Sequence, residues 1–241
     1  MKIKLFTIPN LLTLSNLFCG SVAVVSALVW GDLKLAFGLM VLAAVFDFFD
    51  GFVARLLNQS SPIGLQLDSL ADDISFGLAP AAIMYSLYQW MPGIWLPEGY
   101  PGLVVFVFTA CAALRLAKFN IDETQHTEFC GLPTPANALF FVALGWMDAK
   151  TGFNQGGWVL LMVPAMSWLL ISPVRMFAFK FQSFAFKGNE IRYIFIALAV
   201  VLLVALGIPA VPIVILLYIA ISAVGWGLSL KKPGSAACPE K

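Results

Sequence analysis

Apolar runs of about 20 residues, broken by short polar or Pro/Gly-containing junctions, repeat along the whole chain. That length spans a bilayer core as a helix, and the runs lack the two-residue alternation of half-buried strands. Eight spans are expected, at roughly 11–30, 35–57, 64–90, 101–119, 133–149, 156–175, 191–208 and 210–229, with breaks such as Pro92-Gly93, Pro101-Gly102, Gly156-Gly157 and Pro209. Residues 1–7, with Phe6 and two lysines, suit a short amphipathic helix on the membrane surface, and 176–189 mixes Phe with Lys in the same manner. The fold class that follows is an all-α polytopic helical bundle. It forms one membrane-embedded domain over 1–230, with a tail at 231–241 and no internal repeat.

Composition agrees. The chain is 61% hydrophobic and 11% charged, against about 25% charged in a soluble domain. A net charge of +1 gives no reason to expect nucleic acid as a partner. Where the charges fall is more telling. With eight spans and a cytoplasmic N-terminus, twelve of the 14 Lys and Arg residues face the cytoplasm and only Lys34 and Lys150 face outward. This positive-inside bias predicts a multi-pass protein of the cell (inner) membrane with both ends cytoplasmic. The first apolar run lacks a small-residue cleavage site and is read as retained. Cys19, Cys111, Cys130 and Cys238 have no paired spacing and are read as free thiols.

Against this apolar background stand four aspartates: Asp47-x-x-Asp50-Gly51-x-x-Ala54-Arg55, eight residues, then Gly64-x-x-x-Asp68-x-x-x-Asp72. Each carboxylate in a bilayer helix costs roughly 2.5–3.5 kcal/mol on insertion scales. A structural role alone leaves that cost unexplained. Spacings of three and four put each pair on one helix face, and the turn 58–62, with Ser61 as N-cap and Pro62 at the first helical position, folds the two faces together. Such an oxygen-rich cage, without His or Cys, suits Mg²⁺ or Mn²⁺ over zinc, and four carboxylates suffice for two ions. Gly51, Ala54 and Gly64 leave room for a ligand, and Arg55 offers a forked donor to phosphate.

The motif resembles the signature of the CDP-alcohol phosphotransferases, membrane enzymes that move a phosphoalkyl group from a CDP-linked donor to an alcohol. The resemblance implies that Asp47, Asp50, Asp68 and Asp72 hold two metal ions and that Asp72 is also the general base. It implies that Asn10, Thr13, Asp50, Gly51, Ala54, Arg55 and Gly64 surround the CDP-lipid, Pro9-Asn10-x-x-Thr13 being part of the likeness, and that the protein is a homodimer. Three further stretches resemble the branch that makes phosphatidylserine from CDP-diacylglycerol and L-serine: 10–20, Arg115-Leu116-Ala117-Lys118-Phe119-Asn120, and Gly131-Leu132-Pro133-Thr134-Pro135-Ala136. Arg115, Lys118 and Asn120 are then the serine-binding residues. Lys118 departs from an expected Arg, keeping charge but not bidentate geometry. Likeness covers roughly 5–140, and the last three spans carry no assigned motif.

Two other readings follow from the same residues. Glycerol 3-phosphate or an inositol phosphate as acceptor would call for a denser basic cluster than Arg115 and Lys118 provide. A cation transporter with buried aspartates would more often show inverted repeats and broken midplane helices. Asp73, outside the signature and about 100° around the helix from Asp72, either supports the carboxylates from behind, contacts the serine ammonium or does neither, and His126, in the polar loop 122–130, receives no role.

Overall fold

The computed structural model describes residues 5–89, 101–121, 128–151, 156–177 and 189–229. His126, Lys180, Lys187, the breaks at Pro92-Gly93 and the tail 231–241 lie outside them. The described chain is a bundle of nine α-helices with one two-stranded sheet.

Two helices and a bent rod make the part of the fold that carries the site. Helix α1 (Ile8–Val25) starts at Thr7, whose side chain accepts from the Asn10 N–H, and Pro9 occupies the first turn. It runs on as a π-helical turn (Ser26–Trp30) that Gly31 ends in the left-handed region at φ 66°. Helix α2 (Leu33–Leu56) is capped by Asp32, whose carboxylate accepts from the N–H groups of Lys34 and Leu35. Helix α3 (Pro62–Asp72) begins as the turn predicts, with Ser61 Oγ accepting from the Gly64 N–H at 3.1 Å. It continues through a π-helical stretch (Asp73–Leu78) into α4 (Ala79–Gln89), giving one rod over 62–89. The widened stretch lies just before Pro80, whose ring lacks an N–H and would crowd the carbonyl four residues back in a regular helix.

Helices α1 and α2 pack closely. Buried positions recur at three- and four-residue steps along α1 and its π turn, at Thr13, Asn16, Gly20, Ala23 and Ala27, and at Ala36, Met40 and Ala43 on α2, with Asp50 two turns further on. Small residues let the backbones approach, which is how helices gain packing energy where lipid is as apolar as the interface. Toward one end the same stripe turns from Ala and Gly to Thr, Asn and Asp. A Cβ on Gly20 would strike the Ser75 Oγ and come within 2.7 Å of its Cα. Gly20→Ala is therefore expected to force α1 and the rod apart, costing about 1–3 kcal/mol as other overpacked cores do. Thermal unfolding in detergent checks this.

The remaining helices pack around the rod. A 3₁₀ turn (Pro101–Phe106) leads into α5 (Val107–Ile121), followed by α6 (Thr134–Thr151), α7 (Gly156–Ile171), α8 (Glu190–Leu206) and α9 (Ala210–Ser229). Phe76, Phe108, Phe140 and Phe141 fill the centre, with Phe108 and Phe141 edge-to-face at 5.5 Å. The outer faces of α1, α2 and α8 expose large apolar side chains such as Phe18, Phe48, Phe49, Val201 and Val204, as a lipid-facing surface does.

Several expectations change. Among the described residues, three helices are long and apolar enough to cross a membrane: Ile8–Trp30, Leu33–Leu56 and Gly102–Ile121. Leu161–Ile171 and Ala210–Trp226, within α7 and α9, are shorter apolar helices. Residues 5–7 do not extend an amphipathic helix; Thr7 is extended because its side chain serves as the cap. A short antiparallel pair, β1 (Glu128–Cys130) with β2 (Arg175–Phe177), ties the segment before α6 to the segment after α7. Met176 and Phe177 thus belong to a strand, and the rest of the expected interfacial segment, up to 188, lies outside the described residues. Three residues are too few to show an alternating pattern. Cys19 and Cys111 are free, as expected, whereas Cys130 is disulfide-bonded.

Candidate active site

The carboxylates of Asp47, Asp50 and Asp68 each place an oxygen within 4.8 Å of the others, so the α2 and α3 faces meet as their spacing predicts. Asp72, one turn further along the rod, stands close enough to Asp47 and Asp68 for their charges to act on it. Asp50 and Asp72 are buried, while Asp47 and Asp68 are half-buried. Helix α1 holds both ends of the group. Thr13 Oγ1 donates to Asp50 Oδ2 at 2.6 Å, and Asn16 Nδ2 donates to Asp72 Oδ1 at 3.2 Å. Asp68 Oδ1 is buried with no hydrogen-bond partner. Like charges this close, one of them with an orphaned oxygen, could hold a cation between them. The all-oxygen donor set fits Mg²⁺ or Mn²⁺.

A cleft of about 180 Å³, open to the outside, runs from this group toward the turn between α2 and α3. Asn10, Thr13, Asp50, Gly51, Ala54, Arg55, Gly64 and Asp68 line it, joined by Pro9, Gln59, Ser60, Ser61 and Leu65. Every residue expected around the CDP-lipid therefore lies on one surface. Two glycines shape that surface. A Cβ on Gly64 would sit 3.2 Å from both Asn10 Oδ1 and Ser61 Oγ, and one on Gly51 would meet the Arg55 guanidinium at 3.7 Å. Asn10 is itself fixed by Nδ2 donating to the Leu5 carbonyl at 2.8 Å.

The three residues expected to hold an acceptor do not converge in the same way. Arg115 and Lys118 line a second, much smaller crevice of about 10 Å³ with Phe119, Cys130, Leu170 and Ile171. Arg115 is buried; Nη1 donates to Thr134 Oγ1 at 2.7 Å, Nε has no partner, and Asp72 and Tyr218 are the groups that act on its charge. Asn120 lies elsewhere on α5, donating to Ser69 Oγ at 2.7 Å beside Asp68. Asp73 turns away from the carboxylate group and packs over Gly77 near Ala112 on the α5 side. Three contributors were missed in the sequence. Asn16 follows Thr13 by three residues on the same face, a signal that was present. Ser75 is one turn past Asp72. Tyr218, on α9, carries no local signal.

A family model described as CDP-alcohol phosphatidyltransferase matches residues 6–174. The chain is 35% identical over 188 residues to the CDP-diacylglycerol–serine O-phosphatidyltransferase of Mycobacterium tuberculosis (strain H37Rv), a match covering 72% of this chain and 62% of that protein. The protein of the same name in Bacillus subtilis (strain 168) is 32% identical over 176 residues, covering 72% of this chain and 91% of the relative. That of Helicobacter pylori (strain 26695) is 33% identical over 203 residues, covering 82% and 83%. The chain thus spans about three fifths of the mycobacterial protein's length, 62%, and most of the other two.

Proposed function

This chain belongs to the CDP-alcohol phosphatidyltransferase family, and from that membership we propose that it transfers the phosphatidyl group of CDP-diacylglycerol to the hydroxyl of L-serine, releasing CMP. The observation that carries the reading is the carboxylate trio of Asp47, Asp50 and Asp68 at the head of a cleft lined by Asn10, Thr13 and Arg55. The names of the relatives support serine as the acceptor. Asp47, Asp50, Asp68 and Asp72 would hold two divalent ions, Mg²⁺ or Mn²⁺. Once bound, these neutralise charge on the diphosphate and on departing CMP.

The protein's own groups do the rest. Arg55 meets a phosphate oxygen, and Gly51 and Gly64 keep the cleft wide beside it. Asp72 accepts the proton of the seryl hydroxyl as its oxygen bonds to the lipid-side phosphorus. The phosphorus–oxygen bond to CMP breaks, and the electron pair leaves with CMP. Arg115, facing Asp72 with its Nε unpartnered, suits the serine carboxylate. Lys118 lines the same crevice as Arg115, whereas Asn120, bonded to Ser69 beside Asp68, would meet the acceptor from the carboxylate side. The charge asymmetry supports eight spans with both ends cytoplasmic in the inner membrane, so that CMP returns to the cytosol and the lipid product diffuses sideways. A homodimer belongs to the same proposal.

The test is CMP release by purified protein with CDP-diacylglycerol and Mg²⁺, offered serine, glycerol 3-phosphate or an inositol phosphate in parallel. Release with serine alone is expected. Release with a phosphorylated acceptor instead would reassign the substrate, and cation flux in liposomes without CDP-lipid would favour a transporter. Arg115→Gln is expected to raise the KM for serine roughly 10- to 100-fold, the loss of a charge-assisted hydrogen bond, while the KM for CDP-diacylglycerol stays near wild type. Initial rates over both concentrations check it.

A further inference from the structure

We propose that Asn16 is the positioning residue of the general base, an inference that rests on Asp72 taking the acceptor proton. Asn16 is wholly buried, so it acts only through its neighbours. Its Nδ2 donates to Asp72 Oδ1 at 3.2 Å, and its backbone carbonyl accepts from Ser75 Oγ at 3.0 Å. Asp72 and Ser75 are three residues apart and share a face of the rod. One residue of α1 therefore grips the rod at two adjacent points, and Gly20, one turn further on, allows the approach that makes both bonds possible.

A carboxylate turns readily about its terminal bond and can present either oxygen. Fixing Oδ1 with a neutral donor commits Oδ2 to the proton transfer and holds its direction. A purely structural seam would not choose an amide here. Asn16 is where the stripe changes, with Thr13 before it and Cys19, Gly20 and Ala23 after, and an apolar side chain would bury there without desolvation cost. Asn16 Oδ1 has no partner either, so the amide is not placed for its own satisfaction. What it does satisfy is Asp72.

The experiment compares full-length wild type, Asn16→Leu, Ser75→Ala and Asp72→Asn in mixed micelles of detergent and CDP-diacylglycerol. Asn16→Leu is expected to lower kcat roughly 10- to 100-fold, as loss of an outer-shell partner does. The KM values for serine and CDP-diacylglycerol, and Mn²⁺ affinity by electron paramagnetic resonance, should stay near wild type. Ser75→Ala, which loosens the grip without touching Asp72, should lower kcat about fivefold, the effect of one neutral hydrogen bond. Unchanged kcat in Asn16→Leu alongside an inactive Asp72→Asn overturns the positioning role alone. A loss confined to KM or to metal affinity overturns it too. Normal turnover in Asp72→Asn overturns the base, and this inference with it. Should Asn16→Leu fail to elute as a folded species, Ser75→Ala decides, and wild-type kcat there counts against the proposal.

Discussion

Asp72→Asn is expected to lower kcat by roughly 10³- to 10⁴-fold, the upper part of the range for loss of a general base. Asparagine keeps the size of the side chain and can still meet the Asn16 amide, so packing of the rod against α1 should survive. It cannot take a proton from an alcohol. CDP-diacylglycerol binding should therefore remain measurable, because the cleft is lined by Asn10, Thr13, Gly51, Arg55 and Gly64 and not by Asp72. The variant should bind donor lipid and fail to release CMP. Turnover near wild type would assign proton removal to another group.

Chelation should be as damaging. Treating the protein with EDTA is expected to cut CMP release at least about 10³-fold, since several kcal/mol of charge stabilisation is withdrawn. Added Mg²⁺ or Mn²⁺ should restore it. Asp68→Asn tests the same point from the protein side, because Asp68 Oδ1 is buried without a partner and belongs to the trio. It should weaken Mn²⁺ binding and reduce the rise in melting temperature that the ion gives wild type, as expected for a ligand that binds only the folded state. Undiminished catalysis in EDTA would remove the metal from the mechanism.

How much of this was legible in the sequence depended on the range of each interaction. The α2–α3 hairpin was readable because its signals are local: carboxylate spacings of three and four, a Ser61 cap and Pro62 at the first helical position. The cleft followed from the same stretch plus Asn10 and Thr13. Arg115 and Lys118 were found, but not their separation from Asn120. Which neighbour a side chain on α5 meets depends on how that helix rolls against α3, α6 and α7, and no motif records a roll angle. Tyr218 is the extreme case, a residue of α9 acting on Arg115 across more than 100 positions of sequence. Span length was legible only in part: the described helices fall on the expected apolar runs, and three of them are long and apolar enough to cross a membrane.

The widened stretch over Asp73–Leu78 has a mechanical meaning. A π turn puts one more residue into the rod than regular α pitch would, so α4 is about 100° out of phase with α3. The azimuth at which Asp68 and Asp72 point is thereby geared independently of the azimuth at which Ala82 and Ile83 lock into the aromatic centre. Deleting one residue within 74–78 would restore an even pitch and force a choice between the two, so that either the carboxylates or the bundle would lose its alignment.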